Sequence, residues 1–244
     1  MKGIRTGRKT GRLPPRLVLW AMALATVLFR VPERVRRAHF SENTRLWDTL
    51  APAAVENGFI ERQEMLAPLR YGVSRKGLSR RLLAGRPLTG GENTCEVIAV
   101  YNALGALNMP QPGLPELLRR FEGRGISLGG YFGTSLYALR RFFRKQGCHT
   151  AALYGSRADR AGTERLAGAG TVFILTMLNT ADNLYDMVHT VCVTKTDGGV
   201  TVHNVGEPGR IYPDLYSAVT GYNGGRGRPV WLMARRAPES REGG

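Results

Sequence analysis

Cys95, His189 and Asn204 are the residues of this chain whose types and order can do chemistry. Cys95 lies in Glu92-Asn93-Thr94-Cys95-Glu96-Val97-Ile98-Ala99-Val100-Tyr101-Asn102-Ala103-Leu104. There Asn93 and Thr94 are natural N-cap residues, and the apolar positions cover more than one helical face. A thiol in the first turn of a helix faces the positive end of the macrodipole and unpaired backbone N–H groups. Both favour the thiolate, the nucleophilic form. Glu96, in the same turn, reads most simply as a dipole-stabilising carboxylate. The competing reading is a buried structural cysteine, because free cysteine is among the most buried residue types.

A nucleophilic cysteine needs a base for its proton and a group that orients the base. Four histidines are available: His39, His149, His189 and His203. His39 follows a run of arginines and has no evident role in the sequence. His149 sits at a helix-to-strand junction after Gly147-Cys148. His189 opens the alternating β-branched run His189-Thr190-Val191-Cys192-Val193-Thr194, and Asp197-Gly198-Gly199 separates it from Val200-Thr201-Val202-His203-Asn204-Val205. This pattern predicts a β-hairpin. The hairpin returns Asn204 close to His189, where it can accept the ring N–H that fixes the tautomer. A one-residue change in turn length would put His203 or Val205 in that place instead.

The elements that must position these groups are helices first and strands later. Phe40 to Leu69 reads as helical on its apolar face, and Gly85 to Gly91 as a loop delivering the chain to Cys95. The core helix ends at Gly105, Asn108 and Pro110. Leu114 to Phe121 and Ser135 to Gln146 read as further helices, the second with Arg140, Arg141, Arg144 and Lys145 near its end. Those cations read as a solvated face. Thr171 to Leu178, the His189 hairpin and Val230-Trp231-Leu232-Met233 are strands, with a polar loop at 179–183. This order predicts an α+β domain.

On the residues from Asn93 to Leu104 and from His189 to Val193, the chain resembles the papain-like cysteine peptidases. Within that group it is most similar to the bacterial peptidases that process bacteriocin leaders. The segment Gly130-Tyr131-Phe132-Gly133-Thr134-Ser135, leading into a helix, also fits that layout. The resemblance covers Tyr71 to Trp231. It implies an antiparallel sheet packed against a helical part, a Cys–His–Asn site and a peptide or protein substrate, with no cofactor. Such enzymes usually carry a Gln six residues before the nucleophile that helps bind the oxyanion. Thr89 stands there in this chain. The backbone N–H of Cys95, with Asn93 as a substitute donor, is the expected oxyanion site.

The length of 244 residues suits one domain with extensions. The expected division is a basic arm with a short hydrophobic segment (1–40), a helical bracing or pro-segment and loop (41–90), a catalytic domain (91–236) and a tail (237–244). The arm holds ten cations against Glu33 alone, so +9 of the net +16 resides there. No specific nucleic-acid partner is expected from the remainder. The uncharged run Leu17 to Phe29 is short for a membrane span. It reads as a signal anchor, as a helix in the membrane interface with arginines on lipid phosphates, or as a helix packed on the domain. A membrane-associated or extracytoplasmic location follows from the first two, with an anionic membrane surface as a possible partner of residues 1–40. Cys148 and Cys192 would pair in an oxidising compartment and be buried hydrophobes otherwise. No metal-ligand spacing occurs.

The expected function is a cysteine peptidase, with Cys95 as nucleophile, His189 as base and Asn204 as its orienter. The alternatives are an acyltransferase or transamidase on the same apparatus, or a degenerate peptide-binding module at the membrane. Thr89 in place of Gln favours the last.

Overall fold

The computed structural model describes residue 24 and residues 31–72, 93–130, 133–178, 188–205, 209–221 and 228–236. In chain order they form α1 (Glu33–Ala54), β1 (Val55–Glu56), β2 (Phe59–Ile60), a 3-10 turn (Gln63–Leu66), α2 (Cys95–Ala106), α3 (Leu114–Arg124) and α4 (Leu136–Lys145). There follow β3 (His149–Leu153), α5 (Arg160–Gly168), β4 (Val172–Leu178), β5 (Val188–Thr196), β6 (Gly199–His203), β7 (Ile211–Tyr212), α6 (Leu215–Gly221) and β8 (Arg228–Arg236). Helices come first and strands later, and both sheets are antiparallel, as the α+β class requires.

The main sheet has six strands in the order β3-β8-β4-β5-β6-β7. Period-2 alternation divides its side chains between two helical layers. Val172, Ile174 and Cys192 join the core built on α2, α3 and α4. Phe173, Leu175, Met177, Val191 and Val193 face the other way, against Leu166 of α5 and Leu215, Ala218 and Val219 of α6. Both faces are covered, so β4 and β5 read as nearly continuous apolar runs. Helix α2 is buried nearly all round, as its apolar residues on more than one face demand.

The helix expected over Phe40 to Leu69 differs in both bounds. It begins at Glu33 after Pro32, so Arg34, Arg36 and Arg37 belong to α1 and not to a basic arm. It ends at Ala54, where the chain turns through Asn57 and Gly58 at φ of 49° and 83°. These angles suit the Asn-Gly hairpin turn that joins β1 to β2. The remaining predicted helices and strands fall within a few residues of their expected places, and the loops predicted over 85–91 and 179–183 lie outside the described residues. Strand β3 begins at His149, the expected helix-to-strand junction, and helices α5 and α6 and strand β7 are additions. Among the described residues no helix is long and apolar enough to cross a membrane. The run Leu17 to Phe29 lies outside the described residues except for an exposed Leu24, and the tail 237–244 lies outside them too.

Two asparagines fasten the segment between α1 and α2 by imitating a strand edge. Asn102 of α2 accepts the Ile60 N–H at 2.8 Å and donates to the Ile60 carbonyl at 3.0 Å. Asn43 of α1 does the same to Arg70, at 2.7 and 2.8 Å. Asn102 and Ile60 are fully buried, so neither main-chain group has water to replace the amide. Asn102→Ala is expected to destabilise the protein by about 2–5 kcal/mol, with two buried main-chain groups left unpaired. Urea denaturation measures this, and a loss under about 1 kcal/mol would mean that the clamp is dispensable.

Candidate active site

Cys95 is the first residue of α2, with Thr94 at the N-cap position. The ladder between β5 and β6 runs only as far as Cys192↔His203. Beyond it the two strands part, and the start of α2 packs against the free end of β5. There the backbone N–H groups of Thr190 and Glu96 lie near enough to the Cys95 sulfur to favour its charged form. The nucleophile candidate is thus held against the residue that adjoins His189. Thr190 itself is fixed by a fully buried hydroxyl contact with Thr176 at 3.0 Å.

Strand alternation gives Thr190 and Cys192 to the α2 side and His189 and Val191 to the other. His189 is the second residue of β5 and pairs with Met177 of β4. Its Nε2 lies 3.3 Å from the Asn204 carbonyl oxygen. Asn204 belongs to the α2 side, since its N–H donates to Glu61 Oε2 at 2.7 Å and its Nδ2 to Gln63 Oε1 at 2.8 Å. Donation of Nε2–H to the carbonyl selects one neutral tautomer, in which Nδ1 carries the lone pair. Burial lowers the His189 pKa, and the Asn204 carbonyl only partly opposes this. A neutral imidazole results.

Asn204 thus meets His189 through its main chain, whereas the sequence suggested a side-chain role. Its φ of 64° turns the carbonyl toward His189, a left-handed conformation that asparagine tolerates better than most residues. Glu61 enforces this geometry. Its Oε1 meets His203 Nδ1 at 2.6 Å, and His203 Nε2 reaches Thr194 Oγ1 at 2.8 Å. Phe59 stacks on the His203 ring at 3.9 Å between centroids. His203 is a buried bracing residue, as are Glu61 and Gln63, which the sequence reading passed over. His39 braces as well, through Glu122 at 2.7 Å, while His149 is exposed on β3.

Asn93 is not placed to donate to an oxyanion. Its Nδ2 donates to the carbonyls of Tyr71, at 3.2 Å, and Gly130, at 3.1 Å, and its buried Oδ1 has no partner. The amide cannot be reversed without setting its oxygen against two carbonyls. Thr89 lies outside the described residues, as do Tyr131, Phe132 and the polar loop 179–183.

The largest surprise is Glu96. Its side chain, read from the sequence as dipole-stabilising, is only 3% exposed. The carboxylate accepts from the Thr134 N–H, from its own N–H and from the Cys95 thiol, and Oε2 is buried with no further partner. Gly133 makes the seat: its φ is +56°, and a Cβ there would fall on both carboxylate oxygens. Tyr71 closes the cluster with a 2.6 Å bond to Thr134 Oγ1. Burial raises the Glu96 pKa to about 7. Burial and the adjacent Glu96 carboxylate push the Cys95 thiol well above its ordinary range, although the N–H groups of Thr190 and Glu96 oppose them. The expected resting thiolate is therefore replaced by a thiol bonded to a carboxylate. Desolvation outweighs the helix terminus because both groups are shut off from water.

Cys148 and Cys192 are both buried and not joined by a disulfide, and Cys148 Sγ contacts Met109 Sδ at 3.5 Å. Among the described residues no cluster of three His, Cys, Asp or Glu side chains is placed to hold a metal ion. The fold and site define a mixed helix-and-sheet protein with a buried thiol–carboxyl pair beside a histidine. Known protein families, curated proteins and solved structures yield no match to the chain.

The Glu96 shift fixes the sign of a pH effect. A carboxyl whose folded pKa lies above its unfolded value binds more protons when folded, so it destabilises progressively as pH rises from about 4.5 through 7. Glu96→Gln keeps the Thr134 bond and removes the charge. It is expected to stabilise the protein at pH 8 by on the order of 3 kcal/mol, and by far less at pH 4. Thermal melts across that range test it; an equal effect at both ends would contradict a buried, titrating carboxyl.

Proposed function

We propose that this chain is a cysteine-type acyl-transfer enzyme of papain-like layout that hydrolyses peptide bonds. The observation that carries the proposal is the packing of α2, whose first residue is Cys95, on β5, the strand that holds His189. It sets a thiol at a helix start against the strand end whose first residues include a neutral, tautomer-fixed His189. Support also comes from the order Cys, His, Asn along a helix-then-hairpin chain, on which the papain-like resemblance rests.

In this mechanism His189 Nδ1 takes the thiol proton as Cys95 Sγ forms a bond to the substrate carbonyl carbon. First-turn N–H groups of α2 and the Thr190 N–H are the donors nearest to the developing oxyanion. The C–N bond breaks, His189 returns the proton to the leaving amine, and water then hydrolyses the thioester. An amine in place of water would give transamidation. Glu96 keeps the resting thiol protonated, so the thiolate forms only as the proton moves to His189. No cofactor takes part in these steps.

Incubation with a mixed peptide library, read by mass spectrometry, tests the activity. Cleavage is expected to vanish in Cys95→Ala and to fall by about 10²–10⁴-fold in His189→Ala. Glu96→Gln is expected to accelerate alkylation of Cys95 at neutral pH, because it removes the charge that opposes the thiolate. Slower alkylation would make Glu96 the base instead. A peptide-binding module without catalysis is the second reading, favoured by the burial of Cys95 and by the engaged donors of Asn93. It predicts peptide binding with no cleavage and no effect of His189→Ala on Cys95 alkylation.

A further inference from the structure

Helices α1, α3 and α4 line an open-sided cavity of about 690 Å³. Its lining brings together Arg36, Arg120, Arg124, Arg141 and Lys145, with Phe121 and Phe142 beneath them. The sequence read Arg141 and Lys145 as part of a solvated face; three helices converge them with three more arginines. No carboxylate lines the cavity. Among the described residues only Glu33 forms an ion pair with any of the five, and that is with Arg36.

Several details go beyond charge. Arg36 Nε is buried with no hydrogen-bond partner, an orphan donor of the kind a native structure normally satisfies. The Arg36 guanidinium lies over Gly123 in the last turn of α3, and a Cβ there would displace Arg36 Nη1. Arg120 lies over the Phe142 ring at 5.5 Å, and Arg141 donates to the Arg124 carbonyl at 3.4 Å. These contacts hold the guanidinium groups in place around the cavity.

We infer that this cavity is a binding site for a ligand carrying at least two phosphate charges. Four of its five cations are arginines, whose planar forks match phosphate oxygens bidentately. The volume lies within the range of small-molecule sites. Five cations about one space repel one another unless an anion joins them, and a single carboxylate would leave most of that charge unmatched. The phosphate can come from a soluble diphosphate or from a lipid headgroup. Val31, on the cavity wall, follows the apolar run Leu17 to Phe29 in sequence by one residue.

The test uses the full chain with two probes: inorganic pyrophosphate by calorimetry, and phosphatidic acid or plain phosphatidylcholine vesicles by sedimentation. Arg141→Gln with Lys145→Gln removes two exposed charges, and Gly123→Ala separately displaces Arg36. Thermal melts check that each variant is folded. The double variant is expected to weaken pyrophosphate binding, capture by phosphatidic acid vesicles, or both, at least tenfold, and Gly123→Ala to weaken the same interaction. Capture that pyrophosphate competes away indicates the lipid source; pyrophosphate binding without capture indicates the soluble one. The inference fails if neither probe binds, or if both bind the folded variants as well as the native chain.

Discussion

A carboxyl group buried one residue from a thiol, in the first turn of the most buried helix, is the constraint on which the rest of the site depends. Glu96 cannot reach water, so its charge must be met by main-chain donors or cancelled by a proton. The N–H groups of Thr134 and of Glu96 itself meet part of it, and the Cys95 thiol meets more. That requirement fixes Gly133 as a residue without a side chain. It also ties the strap between α3 and α4 to the start of α2. Cys95 inherits the consequence: its proton is held, although the helix terminus and the Thr190 N–H favour its loss.

The histidine side of the site is built by an independent network. Glu61 receives His203 and the Asn204 N–H, Gln63 receives the Asn204 amide, and the Asn204 carbonyl is left aimed at His189. Glu61 and Gln63 come from the segment that Asn102 and Asn43 clamp to the helices. The tautomer of His189 is thereby linked to the packing of a segment more than a hundred residues earlier in the chain. A defect in that clamp would reach His189 without touching it.

Much of this was legible in the sequence, and the parts that were not have identifiable reasons. Strong periodicity located α2, the hairpin and β4, because long or alternating apolar runs have few other uses. The Asn57-Gly58 turn carried its own signal, but the apolar residues on either side of it continued a helical spacing and masked the break. The side-chain role given to Asn204 failed at the point where β6 leaves the ladder, since pairing rules end with the last paired residue. Asn93 was misjudged because its partners, Tyr71 and Gly130, are distant in sequence. Glu96 was misjudged because position in a helix says nothing of burial. The one local hint was the Gly133-Thr134 pair, a glycine and an N–H donor whose need for each other only the fold reveals.

The state of the Cys95 proton tests this account most directly. The ultraviolet absorbance of the thiolate, titrated from about pH 5 to 9 as the difference between the native chain and Cys95→Ser, reports it without any substrate. The thiol held by Glu96 predicts no thiolate signal from Cys95 across that range, and its appearance at lower pH in Glu96→Gln. A thiolate already present near pH 6 in the native chain would contradict it.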